Sequence, residues 1–464
     1  MKNYGTQQRT MQLKTTDMNS LTKQRTAYAK SIGTPFIKAM FAILCCVAAT
    51  GFAQQTPAPP QGEAITIEGA TAHLGNGETI ENALIIFEDG KLSFVGSANV
   101  RMARKGRIID ASGKHVYPGF IAPAKSLGLI EINAVRASND QDDIGEFIPH
   151  VRSLIAYNAE SQVVESMRPN GILIGQTTPQ GGTISGTSSI VQFDAWNWED
   201  AAIKVDDGIH LHWPNSFRRG RWWLGEPRGF QPNKKYQESI TEVSTFMADA
   251  KAYGQGGSIT MNPAFAAMQG VFDGSQRLYI YAHAEREIID AVTMMKASGA
   301  KRIVLIGGYQ ADKVTDLLKK FEVPVLVRQT HTLPMMEDHQ FDLPYKLPKL
   351  LADAGVLVGL QNAEASNFQT RNLPFYAGQL VAQGMSKAEA LQLITGNTAK
   401  ILGIDDRYGT LQQGKSATLF ISEGDALDMT GNQLTHAFID GRELSLETHQ
   451  TELWKRYMGK FEGK

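Results

Sequence analysis

From Ile65 onward the chain alternates apolar and polar positions in short runs: Ile65-Thr66-Ile67, then Ala83 to Phe87, then Lys91 to Val95. Period two is the mark of half-buried strands. Glu88-Asp89-Gly90 separates the last two runs, and Asp-Gly between alternating segments predicts a tight hairpin. The pattern returns near the other end, with Ala417 to Ser422 and then Ala437-Phe438-Ile439 ahead of Asp440-Gly441. Either set alone would leave sheet edges bare. The two chain ends are therefore expected to join in one small β-sandwich, with residues 54–115 and 406–447 as its two parts.

Between them the rhythm changes. Leu278 to Ala282 reads as a strand, residues 285–298 as a helix, and Lys301 to Ile306 as the next strand. Val314, Leu317, Leu318 and Phe321 then mark one helical face, followed by apolar strands at Val323 to Val327 and Val356 to Leu360. Continuous apolar strands alternating with helices predict an α/β fold with a parallel sheet covered by helices, whose closure periodicity does not decide. Residues 128–275 are less regular and read as an insertion that shapes a binding site. They hold Trp196, Trp213, Trp222 and Trp223, for which core packing is the expectation and an aromatic or carbohydrate ligand surface the alternative. Residues 448–464 read as a terminal helix or tail.

Composition changes this picture at the amino terminus. Residues 1–53 carry seven Lys or Arg against Asp17 alone, a net of +6, so the rest must carry −7 to give the formal −1. Concentrated positive charge outside that segment is lacking, which argues against nucleic acid as a partner. After Lys38 comes an apolar run, Ala39 to Ala49, shorter than the roughly 20 residues a membrane-crossing helix needs. Gly51-Phe52-Ala53 supplies the small residues of a cleavage site, so residues 1–53 read as a signal peptide cut after Ala53. The mature protein is then periplasmic or extracellular, with the membrane met only through that peptide. Cys45 and Cys46, the sole cysteines, both leave with it. Any chemistry must rest on oxygen and nitrogen groups.

Two stretches carry a family resemblance. One is Tyr117-Pro118-Gly119-Phe120-Ile121, reached from a small sheet; the other runs from Ser386 and Glu389, a capping box, to Asp406-Arg407-Tyr408-Gly409-Thr410 and Lys415. In this order they resemble the opening and closing signatures of the metal-dependent amidohydrolase superfamily, most closely its imidazolonepropionase-like branch, over residues 64–445. The resemblance implies a TIM-type (β/α)8 barrel over residues 116–405, the insertion around 128–275 included, flanked by the β-sandwich. It also implies a divalent metal, usually zinc, at the carboxyl end of the barrel. There a His-x-His pair on strand 1 and an aspartate on strand 8 serve hydrolysis of non-peptide C–N bonds such as those of cyclic amides.

Matched residue by residue, the chain departs from that pattern. Ala124 and Ser126 stand at the two histidine positions and Ala122 at the preceding aspartate, while strand 6 ends in Gly307-Gly308. The strand 5 histidine is matched by His283. On strand 8 the nearest counterparts of the aspartate are Asn362, whose amide is no general base, and Glu364, two residues out of register. One histidine among neutral neighbours does not hold a zinc ion, which takes about three protein ligands, so no metal site is expected. The reading is an exported protein of this superfamily with catalysis impaired or lost, binding a small molecule, an active amidohydrolase partner or a second copy of itself. The alternative is an active hydrolase rebuilt around His283, Glu364, His331 or the His210/His212 pair, with Arg328 and His331 facing the ligand. In a strand His210 and His212 would share a face, giving a displaced metal site; otherwise they are an ordinary surface or loop pair.

Overall fold

Asp89 and Gly90 both take the left-handed backbone, with φ of 51° and 75°, and Asp440 and Gly441 repeat it at 46° and 75°. These are the two-residue hairpin turns that the sequence predicts. The structure, a computed structural model, describes residues 56–220, 222–256 and 260–462; the segment read as a signal peptide lies outside the described residues.

The first five strands are β1 (Ile65–His73), β2 (Thr79–Glu88), β3 (Lys91–Ser97), β4 (Arg107–Asp110) and β5 (His115–Pro118). Next come β6 (Phe120–Lys125), β7 (Ile172–Thr177), β8 (Ile184–Gln192) and β9 (Ala202–His212), then a small ribbon of β10 (Phe217–Arg219) and β11 (Phe230–Pro232). They continue with β12 (Arg277–Ala282), β13 (Ile303–Gly307), β14 (Val325–Val327) and β15 (Val358–Leu360). The chain closes with β16 (Leu419–Ser422), β17 (Leu434–Ile439) and β18 (Arg442–Glu443).

Strands from both chain ends hydrogen-bond into one sheet in the order β18-β17-β16-β5-β1-β2-β3, with β4 beside β1. Its own core is built from side chains such as Ile67, Ile85, Phe87, Val116 and Phe438. The Tyr117-to-Ile121 motif marks the crossing from this sheet to the next. A Cβ at Gly119 would lie 2.9 Å from Thr418 and 3.0 Å from Leu173, so only glycine lets the two layers meet there. Tyr117 and Phe120 then pack on the Phe420 ring at centroid distances of 5.4 and 4.9 Å.

The second sheet has the order β15-β14-β13-β12-β9-β8-β7-β6 and curls into a nearly closed barrel of eight strands, in keeping with a TIM-type fold. Ile121 N–H and Leu360 N–H donate to the carbonyls of Ile394 and Leu393, so residues 393–394 fill the seam between β6 and β15. Strand β8 runs antiparallel to both β7 and β9, whereas the other neighbours are parallel. The stretch 128–275 is thus more than an insertion: it supplies three barrel strands, β7 to β9. Their tight β7–β8 return, through the Gly181-Gly182 loop, leaves no helix between them and so hides the strand–helix rhythm.

The helices α1 (Tyr236–Gly254), α2 (Glu285–Ser298) and α3 (Leu343–Asp353) cover the barrel, and α4 (His449–Glu462) ends the described chain. Helix α2 stops where Gly299 turns left-handed at φ 104°. A buried triad joins the two sheets: Asp194 accepts from Arg168 at 3.2 Å and from Arg442 at 2.8 Å.

Candidate functional site

The carboxyl ends of β6, β9, β12, β13, β14 and β15 meet at one mouth of the barrel, because these strands are mutually parallel across their shared pairings or lie beside parallel partners. At β6 the regular alternation fails. Its register against β7 slips between Ala122 and Lys125, where Ala124 adopts φ 55°, a conformation costly for a residue with a Cβ. The bulge is held from inside by Gln176, whose Oε1 accepts the Ala124 N–H at 2.9 Å.

Lys125 follows directly on this slip. Its side chain is buried, and Nζ donates to the carbonyls of Asn362 at 3.1 Å, Ala363 at 3.3 Å and Ala365. All three N–H bonds are therefore spent on the loop that follows β15. Burial pulls the ammonium down to about 8, against the opposing pull of the Glu364 carboxylate. Ser126, meanwhile, spends its hydroxyl on the Thr178 carbonyl at 3.0 Å. Asn362 points its amide at Thr370 Oγ1, 3.1 Å away.

Across the barrel, β9 and β12 pair His210 with Tyr279 and His212 with Tyr281. Each imidazole stacks on its phenol, at 4.7 and 4.2 Å between centroids. His210 and His212 thus lie on a strand and face the interior, not on a surface loop. Burial holds His210 well below the ordinary imidazole range and brings His212 down to about 4, the nearby His283 adding to the latter. Both rings are neutral at physiological pH. Beneath them Asp207 is fully buried and accepts from Tyr279 OH at 2.6 Å, Ser188 Oγ at 2.7 Å and Gln176 Nε2 at 3.0 Å. The same Gln176 holds the β6 bulge, so one polar network crosses the barrel floor.

His283 lies just past β12. Its ring occupies space that a Cβ at Gly307 would invade at 2.3 Å, and Gly307 sits at φ 93°, so the strand 6 glycine seats the strand 5 histidine. His283 Nε2 is 3.8 Å from Glu364 Oε1. Burial lowers its pKa; Glu364 opposes this and the Arg328 guanidinium adds to it. Its backbone N–H and that of Ala284 are taken by Glu287, which also accepts from Ser216 N and Oγ. A cavity of about 530 Å³ opens above His212 and His283, walled by the β10–β11 ribbon through Phe217, Arg218, Arg219 and Phe230.

The structure gathers His283, Glu364, Arg328 and His212 around this mouth. It does not bring in His331, which is exposed and meets Tyr376 edge-on at 5.1 Å, or His210, which lies below in its stack. Lys125 was not among the residues the sequence pointed to. The family's His-x-His register draws attention to Ala124 and Ser126 and passes over the residue between them; Pro123, which cannot donate to a ladder, and a lysine amid a buried apolar strand are the signals of the bulge.

A divalent metal does not fit this donor set. Ala122 and Ala124 offer no donor, Ser126 spends its hydroxyl on the Thr178 carbonyl, Asn362 leaves only a neutral Oδ1 without a partner, and an ammonium occupies the ground between β6 and β15. Among the described residues no three His, Cys, Asp or Glu side chains converge as metal ligands.

Comparison with known proteins agrees with the architecture. Residues 346–446 match the amidohydrolase family. The fold is similar to that of an amidohydrolase from Thermotoga maritima MSB8, with a TM-score of 0.72 at 21% identity over 82% of this chain and 99% of that one. It is also similar to a Xaa-Pro dipeptidase with bound methionine in its active site, with a TM-score of 0.51 at 13% identity over 82% of this chain and 100% of that one. At such identities these likenesses establish the amidohydrolase-type fold. Among curated protein sequences no match is found.

Proposed function

We propose that this chain is an exported member of the amidohydrolase superfamily, of the imidazolonepropionase-like branch. In this reading it has lost metal-dependent hydrolysis and retains the barrel mouth to bind a small molecule. Lys125 carries it. In the resembled family a metal bridges the ends of strands 1 and 8, and here a buried ammonium with all its donors committed bridges them instead. A bound dication beside that ammonium would repel it at short range and low dielectric. Export is supported by the basic segment, apolar run and Gly51-Phe52-Ala53 of the amino terminus.

Elemental analysis of the purified protein, after exposure to excess zinc and removal of loose ions, tests the reading. Less than a tenth of an equivalent is expected, with no turnover of cyclic amides or dipeptides above a Lys125→Ala control. Stoichiometric zinc held at the mouth would sink it. One observation favours a second reading, a metal-free hydrolase: the neutral His283 imidazole stands 3.8 Å from Glu364, the arrangement of a base and its orienting carboxylate. Turnover lost in both His283→Ala and Glu364→Gln would establish that reading.

A further inference from the structure

Three of the buried polar atoms left without partners lie at or beside the cavity above His212 and His283. His212 Nε2 and His283 Nδ1 are both buried and make no hydrogen bond, and so is Arg328 Nε, whose charge reaches His283. Burying a polar nitrogen unpaired costs about 1–3 kcal/mol, so three together call for a partner that arrives with the ligand. Two of the three belong to cavity-lining residues.

The charge at this mouth is unbalanced in the same direction. Arg219 lines the cavity, and among the described residues neither it nor Arg328 has an ion-pair partner. The carboxylate that also lines it, Glu287, is spent on four donors, Ser216 N and Oγ and the backbone N–H of His283 and Ala284. Arg218 is held by Glu226 at 2.5 Å. Phe217 and Phe230 supply apolar walls on either side of the arginines.

From this we infer that the cavity binds an organic anion, a carboxylate carried on an apolar body, with Arg219 taking the carboxylate, the phenylalanines covering the body and the two imidazoles reading a polar group at the floor. The inference rests on the reading of the mouth as a ligand site and names what that site selects. Arginine is suited to it, since its planar fork matches a carboxylate while an ammonium meets it as a point charge.

The test uses the full mature chain and matched probes: phenylacetate, 4-phenylbutyrate and octanoate, each beside its primary amide. Binding is followed by ligand-observed NMR and by calorimetry. At least one carboxylate is expected to bind tenfold or more tightly than its amide. That preference should fall to less than threefold in Arg219→Gln and recover in part in Arg219→Lys. His212→Phe should weaken carboxylate and amide alike, because it alters the floor. Equal binding of acids and amides, binding of amides alone, binding of no probe, or an unchanged preference in Arg219→Gln would overturn the inference. Metal content measured on the same sample keeps the two readings apart. A zinc-loaded protein that still prefers the acid refutes the metal-free reading alone, and a metal-free protein without the preference refutes the anion site alone.

Discussion

The two sides of the barrel mouth are built on opposite principles. At the β6–β15 seam every polar atom of Lys125 has a partner, and the ends of two strands are tied by one ammonium. At the β9–β12 side the imidazoles of His212 and His283 keep unpaired nitrogens over an open cavity. Satisfied polar groups fix a structure, whereas unsatisfied ones await a ligand. In the proposed function, the side that holds a metal in the resembled family serves here as scaffold, and recognition lies across the barrel.

The largest effect is expected at the seam. Lys125→Met keeps the length of the side chain but strands three carbonyls in a buried site, and it should lower unfolding free energy by about 4 kcal/mol in a urea titration. A loss under ~1 kcal/mol would show that the loop after β15 is held by other contacts, and the contrast between the two sides would collapse.

That residue also marks the limit of what the sequence discloses. The terminal sheet, its Asp-Gly turns and the strands and helices from Leu278 to Leu360 were legible because local patterning and tertiary burial agree there. His283 and Glu364 were legible as site residues because they stand on or beside regular strand ends. Lys125 was not, since the His-x-His register passes over it, and its partners are backbone carbonyls some 240 positions away. The tryptophans misled for a similar reason. Trp213 is buried and bonded to Tyr236, as core packing requires, but Trp196, Trp222 and Trp223 are about 60% exposed. Nothing in their spacing distinguishes one group from the other.

Acid and base separate the two sides without mutation. His212 is lowered from 6.5 to about 4 and Lys125 from 10.5 to about 8, each chiefly by burial. Between the two values of each pair the unfolded chain binds more protons than the folded one, so stability rises with pH across both windows and falls as pH drops through them. For His212 the loss between pH 6.5 and about 4 is on the order of 3 kcal/mol. Midpoints of urea unfolding against pH should show both steps. His212→Phe should shrink the lower one, to which buried His210 and His73 also contribute, and Lys125→Met should shrink the upper; loss of both steps in either variant would mean the sides are one coupled unit.

A smaller effect is expected where the open side is braced. Gly307→Ala puts a methyl group into the His283 ring and asks alanine to hold φ 93°, at a cost of about 2 kcal/mol. If the neutral His283 ring reads the ligand, this variant should also weaken binding at the cavity, while Lys125→Met, assayed well below its unfolding midpoint, should not. Calorimetric titration of both variants with the same aryl carboxylate decides it. Equal weakening would place the ligand across the whole mouth instead of above β9 and β12.

The outer wall of the cavity should matter least to stability and most selectively to binding. Trp222 and Trp223 flank the ribbon between β10 and β11, with the Arg228 guanidinium 5.5 Å over the Trp222 ring. An exposed cation–π pair is worth only ~0.5–1 kcal/mol and an exposed ring contributes little buried area, so Trp222→Ala should shift the unfolding free energy by less than ~1 kcal/mol. Carboxylate affinity at the cavity should change less than threefold, because Arg219 and the phenylalanines, not the tryptophans, line it. A larger loss of affinity would extend the recognition surface outward onto the ribbon. Binding of soluble glycans that vanishes in Trp222→Ala would assign the exposed rings a separate ligand of their own, leaving the open side of the mouth with two neighbouring sites, one for an anion and one for a sugar face.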